Sequence, residues 1–144
     1  MLRLFNSRWL LLASFLFPIC VLGCGDSGPH LNNVSGTLTY QGKPVPNVQL
    51  SFIPADGRPS GGVTDSEGKF DRVMFSPERD GLLTGDYQVV ISWQSLEPPA
   101  SPIDPPPPPP AELRPLLKKY GKFDNPQIQV TIEKGQRTLD LNLD

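Results

Sequence analysis

The chain has 144 residues, a formal net charge of −2, 38% hydrophobic residues and 19% charged ones. That places it in single-domain range with enough apolar material for a packed core, and excludes wholesale disorder. It also excludes a nucleic-acid partner, because phosphates call for clustered Lys and Arg, whereas the one basic pair, Lys118-Lys119, reads as a solvated helix face.

The amino terminus is basic (Arg3, Arg8) and is followed by an apolar run of 15 residues, Trp9 to Gly23. As a helix this run reaches about 22 Å, short of the ~30 Å hydrocarbon core of a bilayer, and Pro18 would break it. Residues 1–23 therefore read as a signal peptide, not as a spanning anchor. Its removal leaves 11 of the 13 basic residues against all 15 acidic ones, a net of −4. The run ends in Val21-Leu22-Gly23-Cys24, which resembles the lipobox of bacterial lipoproteins, with Leu22 where Ala or Ser is commoner. The resemblance implies recognition of Val21, Leu22 and Gly23 by signal peptidase II and cleavage before Cys24. It further implies a diacylglycerol thioether and an N-acyl chain on Cys24, which would hold the product to a membrane on the periplasmic or extracellular face. With Cys20 lost, Cys24 has no partner for an intrachain disulfide, and lipidation accounts for the solitary thiol. Residues 24–33 have the composition of a tether and include the only histidine, His30, read as solvated.

From residue 34 onward the apolar period is two. Val34, Leu38 and Tyr40 share one face; Val48, Leu50 and Phe52 alternate with polar residues; Tyr87, Val89, Ile91 and Trp93 alternate with Gln88, Val90 and Ser92. Ile128, Val130 and Ile132 repeat the pattern, as do Leu139, Leu141 and Leu143. One apolar and one polar face per strand is the mark of antiparallel sheets packed on one side. Gln41-Gly42-Lys43-Pro44 is expected to link the first two strands. Asp65-Ser66-Glu67-Gly68 reads as a type I turn with positive φ at Gly68, joining strands over 61–64 and 69–75, and Lys134-Gly135-Gln136 is expected to connect the last pair. The 70–75 run alternates ambiguously and reads as an edge strand. About seven strands predict a two-sheet Greek-key sandwich, in one domain over 34–144.

Between the Tyr87 and Ile128 strands lies a proline-rich insertion, about residues 95–126, with Pro105 to Pro110 unbroken. Six prolines in polyproline II span about 19 Å, a stiff surface excursion. Glu112 to Tyr120 is expected to add one or two helical turns before Gly121, with Pro115 early, where proline is tolerated.

The order Gly36-x-Leu38-x-Tyr40-x-Gly42-Lys43-Pro44, then Val63-Thr64-Asp65-x-x-Gly68-Lys69-Phe70, then Gly85-x-Tyr87-x-Val89-x-Ile91, resembles the carboxypeptidase regulatory-like domain. The resemblance implies an all-β, seven-stranded, transthyretin-like (prealbumin-like) sandwich, here carrying the proline-rich insertion. It brings no catalytic machinery: the zinc peptidase domain that this module accompanies in carboxypeptidases is absent. Hydroxyisourate hydrolases of transthyretin type need histidines, and this sandwich has none. A serine or cysteine nucleophile would lack a histidine base for the same reason. Asp65, Glu67 and Asp71 have the oxygen chemistry of a calcium site, but turn formation explains them better, so no metal or cofactor is expected beyond the acyl chains on Cys24. Trp93, Tyr87 and Tyr120 are the candidate contacts for a ligand, although Trp93 continues a buried-face alternation. The expectation is a non-enzymatic, membrane-anchored envelope lipoprotein that works by protein contact or as a scaffold. The alternative is a module binding a carbohydrate or small molecule at the cell surface.

Overall fold

A computed structural model describes residues 28–95, 105 and 107–144. The expected signal peptide, the lipobox-like stretch ending at Cys24, and the start of the proline-rich stretch including Pro98-Pro99 lie outside the described residues.

The chain runs through β1 (Gly36–Tyr40), β2 (Lys43–Pro44), β3 (Val48–Pro54), β4 (Ser60–Val63) and β5 (Lys69–Phe70). It continues through β6 (Val73–Ser76), β7 (Arg79–Asp80), β8 (Gly85–Trp93), helix α1 (Arg114–Tyr120), β9 (Ile128–Ile132) and β10 (Leu141–Leu143). One sheet has the order β10-β1-β2, with β5 also on β1; the other is six-stranded, β7-β6-β4-β3-β8-β9. The two sheets form a sandwich-like arrangement around one apolar cluster. Leu38 of β1, Leu50 and Phe52 of β3, and Val89 and Ile91 of β8 are all fully buried in it. The period-two reading holds at these positions, but Val90, on the face of β8 expected to point away from the core, is fully buried as well. Phe52 anchors the centre, its ring 6.3 Å from Phe70 and edge-on to Tyr87 at 6.4 Å. Each such side chain contributes roughly 1.5–3 kcal/mol on burial.

The described residues form ten strand segments, because the expected 69–75 strand is two. Phe70 and Val73 are both buried to 1% exposure, so the chain turns a corner between them. β5 joins β1, and β6 joins β4 in the other sheet, flanked by β7 rather than lying at an edge. The remaining additions, β2 and β7, are two-residue strands. The link at Lys134-Gly135-Gln136 does not close a hairpin either. β9 pairs with β8, while β10 crosses to the other sheet and lies parallel to β1, with Leu38 opposite Leu141. Gly36 permits that approach: a Cβ there would run into the Leu139 carbonyl oxygen.

The body begins earlier than the composition of the tether suggests. Asn32 is 4% exposed and forms a main-chain bridge with Leu82, with hydrogen bonds of 2.7 and 2.9 Å. Its amide Nδ2 donates to the Leu82 carbonyl at 3.1 Å, and its Oδ1 accepts from the Gly135 N–H at 2.7 Å. A buried carboxamide satisfied on both sides ties the incoming chain to two turns at once.

A short 3₁₀ turn, Ala111–Leu113, leads into α1, with Pro115 in the first turn where a missing N–H costs nothing. The Gly121 N–H donates to the Leu117 carbonyl at 2.9 Å and closes the helix. α1 packs against β8 and turns Leu116, fully buried, and Tyr120, 7% exposed, into the same cluster.

Candidate functional site

The turn that starts the sandwich also shapes a mixed aromatic groove. Gln41 and Gly42 both take positive φ, 52° and 74°, the pattern of a type I′ hairpin turn, and fold Lys43 and Pro44 back beside Tyr40. Val45, Pro46 and Asn47 then carry the chain to the other sheet, where Val48 pairs with Trp93 at the end of β8. Between that crossover and the start of α1 lies a groove of about 480 Å³. Its apolar lining comes from Tyr40, Pro44, Pro46, Trp93, Leu113 and Pro115, and its polar lining from Gln41, Lys43, Asn47 and Glu112. Pro110, the last of the six prolines, stands at its rim.

Tyr40 is held in place from behind. Its ring meets Tyr120 edge-on at 6.4 Å, and the Tyr120 hydroxyl donates to the Asp144 main-chain oxygen at 2.9 Å. Lys119 donates to the same oxygen at 2.7 Å, with its ammonium 5.0 Å from the centre of the Tyr120 ring. The neighbouring Tyr120 hydroxyl is the main influence holding the exposed Lys119 above the usual lysine range. Trp93 is half-buried against the core, and its indole N–H is enclosed without an acceptor among the described residues.

The three aromatic residues singled out by sequence are not brought together. Trp93 lines the groove, whereas Tyr87 and Tyr120 belong to the core. Tyr87 is 4% exposed and donates to the Leu83 carbonyl at 3.1 Å. Burial pushes its phenol above the ordinary tyrosine value. Tyr40, which the sequence placed with Leu38 on the core face, is the second groove aromatic. Only the positive-φ turn immediately after it hinted that its strand ends at an opening.

A second trough of about 630 Å³ runs across β3, β8 and β9 of the six-stranded sheet, and Tyr87, buried as it is, forms part of its lining beside Val130. Ile53, Asp86, Gln88, Gln129 and Thr131 contribute to it, and the Thr131 hydroxyl donates to Asp86 at 2.6 Å.

The acidic trio around the Asp65 turn does not converge. One Asp65 oxygen accepts the N–H groups of Glu67 at 2.8 Å and Lys69 at 2.9 Å, and Glu67 pairs with Lys69 at 2.6 Å. The Lys69 amide bond is the main reason Asp65 lies below the usual carboxylate value. Among the described residues no three His, Cys, Asp or Glu side chains are grouped to hold a metal ion. No helix there is long and apolar enough to cross a membrane.

No family model, curated protein or solved structure matches the chain. The groove and the trough must therefore be argued from their own chemistry.

Proposed function

We propose that this protein is a non-catalytic, lipid-anchored component of a bacterial cell envelope, a small sandwich held close to a membrane that acts by contact with other proteins. The observation that carries this reading is Val21-Leu22-Gly23-Cys24 placed directly after an apolar run too short to span a bilayer. The packing of Asn32 supports it from the other side. Only eight residues separate Cys24 from that anchor point, a reach of about 28 Å at full extension. The body would then sit against the headgroups, not at the end of a long stalk. The seven-stranded Greek-key, carboxypeptidase regulatory-like assignment belongs to the same proposal. It is supported by the positive φ values of Gly42 and Gly68 at the turns that the motif order requires, and of Gly85 at the start of β8.

The test is Cys24→Ala in the native host. The variant is expected to accumulate as an uncleaved, unacylated precursor and to leave the detergent-soluble membrane fraction. Normal maturation and membrane retention of the variant would refute the anchor.

A second reading, a carbohydrate or small-molecule binding module, is favoured by the Tyr40–Trp93 groove, where two aromatic faces converge with Gln41, Asn47 and Glu112. Titration of Trp93 fluorescence with glycans is expected to saturate in the unsubstituted chain and to flatten in Tyr40→Ala. An unchanged spectrum across the panel would remove this reading.

A further inference from the structure

Sheet edges expose unpaired main-chain donors and acceptors, and stable proteins blunt them with shortness, charge, proline or bulges. Apart from β5, two residues paired with β1 alone, three of the four remaining edges here are blunted in that way. β7 has two residues, both charged, and an irregular register against β6. β2 is Lys43–Pro44. β10 has three residues, flanked by Asp140 and by Asp144, whose main-chain oxygen is taken by Lys119 and Tyr120. The fourth edge, β9, is different. Ile128-Gln129-Val130-Thr131-Ile132 is five residues long and carries no charge, proline or glycine. It pairs with β8 through all five residues without a register shift. Among the described residues, no main-chain hydrogen bond joins 128–132 to any segment other than β8.

We infer that β9 is an interaction edge whose partner is β9 of a second copy of this chain, added antiparallel about a two-fold axis through Val130. The pattern is self-complementary in that register. Val130 meets its own copy, Ile128 meets Ile132, and Gln129 meets Thr131, so apolar pairs fall on the core side and polar pairs on the solvent side. No like charges face each other, and cross-strand pairs of these types are favourable. Val130 is the one apolar residue of β9 left half-buried at the rim of the core, and the partner strand covers it. The result is an isologous contact that joins two six-stranded sheets into one continuous sheet. This deepens the protein-contact reading by naming the partner, but it does not depend on the lipid.

The test uses the full chain in its native envelope. Val130→Cys, a small change on an edge strand, is expected to give a covalent dimer under mild oxidation, because the axis brings the residue onto its own copy. Val63→Cys, at a position 56% exposed on β4, is expected to give none above background. The unsubstituted chain is run alongside: a covalent dimer from it would report a free Cys24 thiol and count against lipidation, while any excess from Val130→Cys would still report the edge. In detergent, the unsubstituted chain is expected to size at two copies and Val130→Lys, which sets like charges on the axis, at one. Equal trapping of Val130→Cys and Val63→Cys, or a single-copy mass for the unsubstituted chain, would overturn the inference.

Discussion

One exposed carboxylate sets the course of two strands. Asp65 accepts the amides of Glu67 and Lys69, and its own carbonyl accepts the Gly68 N–H at 3.1 Å, so the turn is closed by bonds within itself. Gly68 completes it at φ 75°, with a would-be Cβ 2.9 Å from the Val45 nitrogen. Because the hydrogen-bonded carboxylate lies below its ordinary value of 3.8, its contribution to stability is present above that value. The contribution is lost as the pH falls through the folded-state value. Asp65→Asn should lower the thermal midpoint at neutral pH, and the gap from the parent chain should close in strong acid. Thermal scans from pH 7 to pH 2 would check this. The turn itself was legible, because Asp at the first position and Gly at the fourth have local reasons to be there, but the hairpin expected directly across it does not form: β5 pairs with β1, and β4 with β3 and β6. The aromatic residues were not: alternation assigns a face, but not whether that face is covered at the strand's end. Tyr40 and Trp93 both follow the core period, and both finish half-buried at the groove.

At the scale of elements, the sequence marked strands but did not assign them to sheets. The 69–76 stretch reads as one ambiguous strand because Phe70 and Val73 are three apart, a spacing that suits neither face of a continuous strand. The spacing makes sense once the chain turns a corner and both side chains enter the core from different sheets. α1 is the reverse case. Two turns with a proline carry little intrinsic stability, and short helices form when packing holds them. Leu116 supplies that packing. Leu116→Ala is expected to cost about 2–5 kcal/mol in denaturant unfolding, as for other buried leucines. It should also loosen the wall of the groove formed by Leu113 and Pro115, seen as a red shift in Trp93 emission.

For the whole molecule, long-range pairing was the illegible part. The parallel contact of β1 with β10 joins Leu38 to Leu141, and nothing local to either strand announces it. The Asn32 clamp was hidden for a related reason. An Asn beside Gly, Ser and another Asn has the composition of a linker, and only the fold shows that its carboxamide reaches Leu82 and Gly135. Asn32→Ala would remove the acceptor of the Gly135 N–H and the donor to the Leu82 carbonyl, a loss of about 0.5–1.5 kcal/mol for each hydrogen bond. Equilibrium unfolding, with amide exchange at Gly135 as a local readout, would register both the loss and its site.

The same clamp decides how the body would respond to a pull from its amino-terminal side. Tension arriving through residues 28–31 meets a cross-brace between two turns before it reaches any strand of the cluster. Arg79 adds a second restraint by donating to the Pro29 carbonyl at 2.6 Å. A tug along this lead is therefore shared between the Leu82 and Gly135 turns instead of peeling β1 from its neighbours. Under the proposed anchoring, such a pull would leave the two sheets in register.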